Sequence, residues 1–119
     1  MAENTTLTLT YNAGQATPAS AVGKIVFDAT AITAADYIEV DLGFKPKYVK
    51  FDNVTDRICV EFYEGMTADT CVKTAAAGTR TLETTNKGVT LVDRGFRVSQ
   101  NATLAVIAAS KTCQFVALA

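Results

Sequence analysis

Residues 48–64 read YVKFDNVTDRICVEFYE, two short stretches of alternating apolar and polar residues joined by a polar connection. In the second stretch, Ile58, Val60 and Phe62 stand two positions apart, so they share one face of an extended chain. The connection at 53–56 contains Asn and Asp, whose side chains hydrogen-bond the backbone of turns. The segment therefore predicts a β-hairpin with strands at 48–52 and 57–64 and one buried face.

The same period of two extends on both sides of this hairpin. In residues 37–42, Ile38, Val40 and Leu42 are predicted to face a core, while Tyr37, Glu39 and Asp41 face solvent. Further strands are predicted at 24–27, 79–84, 89–92, 96–99, 104–108 and 113–118. Turn residues recur at intervals of roughly 8 to 12, which is typical of a β-sandwich, a jelly roll or a small barrel. We expect a compact, all-β, antiparallel domain.

Two segments fit more than one structure. Residues 66–78 predict either a turn of helix or a loop that Gly78 ends. Residues 104–108, Leu-Ala-Val-Ile-Ala in order, are apolar on both faces, which predicts a strand covered on both sides, with a short buried helix as the alternative.

A length of 119 residues suits a single domain. Residues 1–20 are rich in Thr, Ala and Asn and are expected to form an extended N-terminal arm or an edge strand, and we favour the arm. In this segment Leu7, Leu9 and Tyr11 alternate with threonines. Residues 21–119 are expected to form the single β domain.

Composition excludes several classes of function. The formal net charge is −1 and the 11 basic residues are spread along the chain, so we expect no nucleic-acid partner. The N-terminus has no signal-peptide pattern and no stretch reaches the ~18 apolar residues of a membrane span, which predicts synthesis in a cytoplasm and no membrane partner. The three cysteines are expected to remain thiols.

The chemistry-bearing residues favour a protein that is not an enzyme. Histidine is absent, which removes the commonest general base and transition-metal ligand. Two carboxylate pairs, Glu39 with Asp41 and Glu61 with Glu64, are expected to be ordinary solvated groups. Cys59 would be reactive only if nearby Arg57 lowered the pKa of its thiol. We predict no catalytic site, no metal and no cofactor.

Aromatic and arm residues are the candidates for binding a partner. Aromatic side chains near turns or on outward faces anchor protein interfaces, although core packing is an equal alternative for each of them. Carbohydrate binding is a third hypothesis, which has no support because the chain contains no tryptophan. The candidates are Thr5, Leu7, Leu9, Tyr11, Phe44, Tyr48, Tyr63 and Phe96.

Several short blocks within residues 36–115 resemble small structural proteins of tailed bacteriophages. These blocks are GFKPKYVK at 43–50, TDR at 55–57, EFYEGM at 61–66, AGTRTLE at 77–83, RGF at 94–96 and ASKT at 109–112. The resemblance is closest to capsid decoration, or cement, proteins, which are small β-rich domains, often trimers, on the surface of an assembled head.

The resemblance implies a place on the virion capsid, the major capsid protein as partner, and a homo-oligomer, with a trimer favoured. It carries over no catalytic residue. The alternative is a domain associated with the tail or a fibre that recognises a host surface, including its carbohydrate.

Overall fold

Ten β-strands make up the fold of the computed structural model, which describes residues 2–13 and 20–119, without the side chains of residues 9–13. The strands are β1 (Leu7–Ala13), β2 (Ser20–Phe27), β3 (Tyr37–Asp41), β4 (Tyr48–Asn53), β5 (Ile58–Tyr63), β6 (Cys71–Thr74), β7 (Arg80–Glu83), β8 (Val89–Val92), β9 (Gly95–Ser99) and β10 (Thr112–Leu118). None of the described residues is helical. The prediction of an all-β domain is confirmed.

Two antiparallel sheets lie face to face in a sandwich-like arrangement. The larger sheet has seven strands in the order β1-β2-β10-β4-β5-β6-β7, and the smaller has three in the order β3-β9-β8. Phe96 of the small sheet contacts Phe51 and Phe115 of the large sheet, with ring centroids 6.5 and 5.3 Å away. A bridge between Thr70 and Val89 joins the two sheets at one corner.

Alternation of apolar and polar residues positions most strands as expected. The predicted hairpin is β4 and β5, where Val60 and Phe62 are buried. In β3, Ile38 and Val40 face the core. In β2, buried and exposed residues alternate over all eight positions. The period of two therefore fixes which face of each strand points inward.

The N-terminal segment lies in the large sheet. Residues Leu7–Ala13 pair antiparallel with β2 and form its edge strand β1, rather than the arm we favoured. Residues 14–19 lie outside the described part of the chain. Ahead of β1, Glu3 forms a bridge with Tyr37, so the first residues lie along the edge of β3.

Two segments depart from the sequence prediction. Residues 104–108 form no strand, because the Asn101 side chain accepts the backbone N–H groups of Thr103 and Leu104 and starts a turn there. Their apolar character reflects a buried loop, in which Leu104, Val106 and Ile107 fill the core. Within 66–78, residues Cys71–Thr74 form strand β6, which the sequence analysis missed, and Gly78 lies in the turn that follows it.

Candidate functional site

The seven-stranded sheet has one face covered by the small sheet and one face turned to solvent, which we call the open face. From β2 across to β7, successive strand pairings place one residue of each of six strands in a row across it, namely Val22, Val116, Lys50, Glu61, Val72 and Leu82. Val22 and Leu82 are 57% and 62% exposed. The row is thus apolar toward both ends and charged in the middle.

A second row on the open face is aromatic. Leu118 pairs with Tyr48, and Tyr48 pairs with Tyr63 on the next strand. The two tyrosine rings lie with centroids 5.1 Å apart and tilted by 50°. Tyr63 is 47% exposed and Leu118 43% exposed. These three side chains form a contiguous apolar patch at one end of the sheet.

Tyr48 is held in a fixed orientation by Glu61. Its hydroxyl donates a hydrogen bond of 2.7 Å to Glu61 Oε2. Burial, together with this carboxylate, raises the pKa of Tyr48 well above its usual value, so the hydroxyl remains a protonated donor. An aromatic ring that is already ordered loses little entropy on binding a partner.

A shallow depression of about 180 Å³ lies between the apolar and charged residues of the open face. Val22, Val54 and Val116 form its apolar walls, while Lys50, Asp52 and Gln114 provide polar groups. A mixture of apolar surface with polar and charged groups is typical of the rim of a protein–protein interface, since the buried centre is depleted of charged residues.

The predicted partner-binding residues divide among several places. Tyr48 and Tyr63 come together on the open face, and Thr5 is exposed near the N-terminus. Leu7 and Phe44 are partly buried and pack against the core. The side chains of Leu9 and Tyr11 lie outside the described part of the structure.

Phe96 is a correction to the sequence prediction. Its relative exposure is 0%, and it lies at the centre of the core between the two sheets. The residue pairs with Val40 in β3, and directly paired residues point to the same face, which here is the inner one. Phe96 therefore stabilises the sandwich and is not available to a partner.

Sequence reasoning missed three of the most exposed apolar side chains, Val22, Leu82 and Leu118. The signal was present for two of them. In residues 20–27, Val22 lies an odd number of positions from Ile25 and Phe27, which places it on the opposite face of the strand. In the last strand, Leu118 likewise lies on the opposite face from the buried residues Cys113, Phe115 and Ala117. Leu82 lies in β7, where buried and exposed residues do not alternate, so the pattern does not indicate its face.

The groups considered for catalysis form ordinary structural contacts. Glu39 accepts a hydrogen bond of 2.6 Å from Arg97 Nε, and Asp41 lies 3.4 Å from Arg94. Burial raises the pKa of the Cys59 thiol, and the cations that partly oppose this are Lys50 and Arg80, not Arg57. Burial also raises the pKa of Cys71 and of Cys113 to about 12.

Within residues 2–13 and 20–119, no group of three or more potential metal ligands lies together, and no helix is long and apolar enough to cross a membrane. Comparison of the chain with protein-family models, curated proteins and solved structures found no match.

Proposed function

We propose that this protein is a non-enzymatic capsid decoration protein of a tailed bacteriophage, which binds the major capsid protein on the surface of the assembled head. The observation that carries the proposal is the open face, where Val22, Tyr63 and Leu118 are exposed apolar side chains on a rigid sheet. Exposed apolar side chains grouped on one surface, as in the patch of Tyr48, Tyr63 and Leu118, mark sites of protein interaction.

The size of the open face fits a stable interface. Seven strands about 4.8 Å apart and about 20 Å long give a surface of roughly 600–700 Å². A standard protein interface buries about 800 Å² on each partner. Essentially all of the open face would therefore have to contact the capsid, including the tyrosine pair and Val22.

Binding to an assembled lattice stabilises it by mass action. A protein with higher affinity for the assembled shell than for its separate subunits shifts the equilibrium toward the shell. Copies clustered around a lattice axis would also gain avidity. The sequence resemblance to decoration proteins favours a trimer for this arrangement, and all copies would then lie on the outside of the virion.

Co-sedimentation of the purified protein with mature heads and with unassembled capsid protein tests the proposal. We expect saturable binding to mature heads at a fixed ratio to the major capsid protein, and weaker binding to unassembled subunits, because the contact surface spans neighbouring subunits. Binding to isolated tails but not to heads would contradict the proposal and support the tail-associated alternative.

A further inference from the structure

Strand β7 ends the seven-stranded sheet. It pairs with β6 on one side, and no strand within the described ranges lies along its other side. The edges of the small sheet are covered in part by the chain itself, since Glu3 bridges Tyr37 beside β3 and Thr70 bridges Val89 beside β8. The outer edge of β7 is therefore an open position for a further strand.

Hydrogen bonding in the β6–β7 hairpin determines which backbone groups face outward. Ala75 N–H donates to the carbonyl of Thr79, so this pair is hydrogen-bonded. Directly opposed residues in an antiparallel pair of strands alternate between hydrogen-bonded and non-hydrogen-bonded pairs. The backbone N–H and C=O groups of Thr81 and Glu83 therefore point toward β6 and bond it. The N–H and C=O groups of Arg80 and Leu82 consequently point away from the sheet, where another extended strand matches them.

The side chains at this edge define the partner strand. Leu82, on the open face, stands directly opposite Val72 of β6, so the two form an apolar pair at the edge. Arg80, two positions earlier on the same face, lies 3.6 Å from Glu61 and keeps most of its side chain in solvent. An added strand therefore meets an apolar side chain next to a largely solvated cation.

We infer that the outer edge of β7 binds an extended segment of a partner protein by antiparallel strand addition. In that segment an apolar residue opposes Leu82, and an acidic residue two positions further along the partner chain opposes Arg80. Directly opposed residues on one face of a sheet interact through apolar contact and opposite charge. This inference goes beyond the proposed function and does not depend on it.

Charge complementarity favours a different chain over a second copy of this one. If two β7 strands pair antiparallel, only residues of the same face oppose each other. Arg80 would then oppose Arg80, Leu82 or Thr84 of the second copy, and Glu83 would lie on the other face. A second copy therefore leaves the Arg80 guanidinium without an acidic neighbour across the new pairing.

A blocked six-residue peptide tests the inference by NMR titration of the isotope-labelled protein. In the test peptide a valine precedes a glutamate by two positions in a background of threonine and serine, and in the control peptide lysine replaces the glutamate. We expect amide shifts centred on Arg80 and Leu82, and an affinity roughly threefold higher for the glutamate peptide because exposed ion pairs are weak.

Two variants separate strand addition from other modes of binding. Leu82→Pro removes an N–H that points outward, so the β6–β7 ladder remains and the peptide affinity falls roughly tenfold. Arg80→Glu reverses the preference, so that the lysine peptide binds more tightly. No shift at β7 at millimolar peptide, equal affinity of both peptides, or unchanged affinity of folded Leu82→Pro would each overturn the inference.

Discussion

Gly95 shows how one residue sets the geometry of the small sheet. A Cβ atom at this position would overlap the carbonyl oxygen of Val40 on β3. The close approach allows the carbonyl of Arg94 to accept the N–H groups of both Leu42 and Gly43, so β3 is fixed to the turn before β9. The clashing atoms belong to the backbone and cannot move aside as the end of a flexible side chain can. A larger residue at this position must therefore displace a strand.

We predict that Gly95→Ala lowers the free energy of unfolding by about 3 kcal/mol, since the new methyl group clashes with buried backbone. Gly78→Ala is the matched control, because Gly78 has a φ of +94° and nothing within 4 Å of an added Cβ. Its cost should be only about 1 kcal/mol, from the backbone conformation alone. Urea unfolding measures both values, and equal losses would contradict the clash.

Individual faces were predictable where apolar and polar residues alternate cleanly. Ile38 and Val40 are buried as their pattern predicts. Phe96 was wrongly predicted to be available to a partner because it lies beside a turn. Its alternation with Arg97 and its shared face with Val98 indicate burial instead. The pairing of Phe96 with Val40 in another strand decides its burial, and this long-range contact is not visible in a single strand.

At the scale of elements, the segment ahead of β1 is held by a small polar network. The Asn4 side chain donates a 2.6 Å hydrogen bond to Gln100 Oε1 and accepts from both the backbone N–H and the hydroxyl of Thr6. Gln100 is almost completely buried, and its amide nitrogen donates to the carbonyl of Thr33. The network joins the N-terminus to the end of β9.

Asn4→Ala should lower the free energy of unfolding by about 1–3 kcal/mol, because the buried Gln100 oxygen loses its donor. Thr5→Ala, which changes the exposed neighbour, should have little effect. Thermal unfolding compares the two variants, and hydrogen exchange of the Tyr37 amide, which donates to the carbonyl of Ala2, reports on the local contact. Equal stability of both variants would show that the network contributes nothing.

Whether a segment forms a strand was harder to predict where the burial of its residues depends on tertiary structure. Strand β6 contains Lys73 and Thr74 and has a weak apolar pattern, yet it forms because β5 and β7 hydrogen-bond it from both sides. The apolar run at 104–108 predicted a strand, whereas a turn that Asn101 starts converts it into a buried loop. The open face combines seven strands, so no single segment of sequence could reveal it.

At the scale of the whole molecule, two buried thiols link stability to pH. Burial raises the pKa of Cys71 and Cys113 to about 12, and their thiols lie 3.4 and 3.5 Å from the carbonyls of Lys87 and Val106. In the unfolded chain a cysteine titrates near 8.5. The folded state thus holds protons that the unfolded state releases above that pH, which destabilises the fold as the pH rises.

The midpoint of urea unfolding should therefore change little between about pH 7 and 8 and fall between about pH 8 and 10. Each thiol would account for roughly 1–2 kcal/mol of lost stability at pH 10. The double variant Cys71→Ala and Cys113→Ala serves as the control and should show a flatter dependence over that interval. If both proteins lost stability equally with pH, the buried thiols would not be its cause.

The central claim for the whole molecule is that the open face contacts the capsid. Val22→Glu places a charge on this face, on the second strand from its edge, and Thr90→Glu places the same charge on the small sheet, next to Arg97 in the pairing of β8 with β9. Both proteins should fold, since Val22 is exposed and Thr90 is half-buried on the outside of its sheet.

The decisive measurement is the affinity of these two variants and the unmodified protein for mature heads, determined by co-sedimentation. The account predicts that Val22→Glu weakens binding at least roughly tenfold, because it buries an unpaired charge in the contact, whereas Thr90→Glu binds as the unmodified protein does. Undiminished binding of folded Val22→Glu would contradict the assignment of the open face.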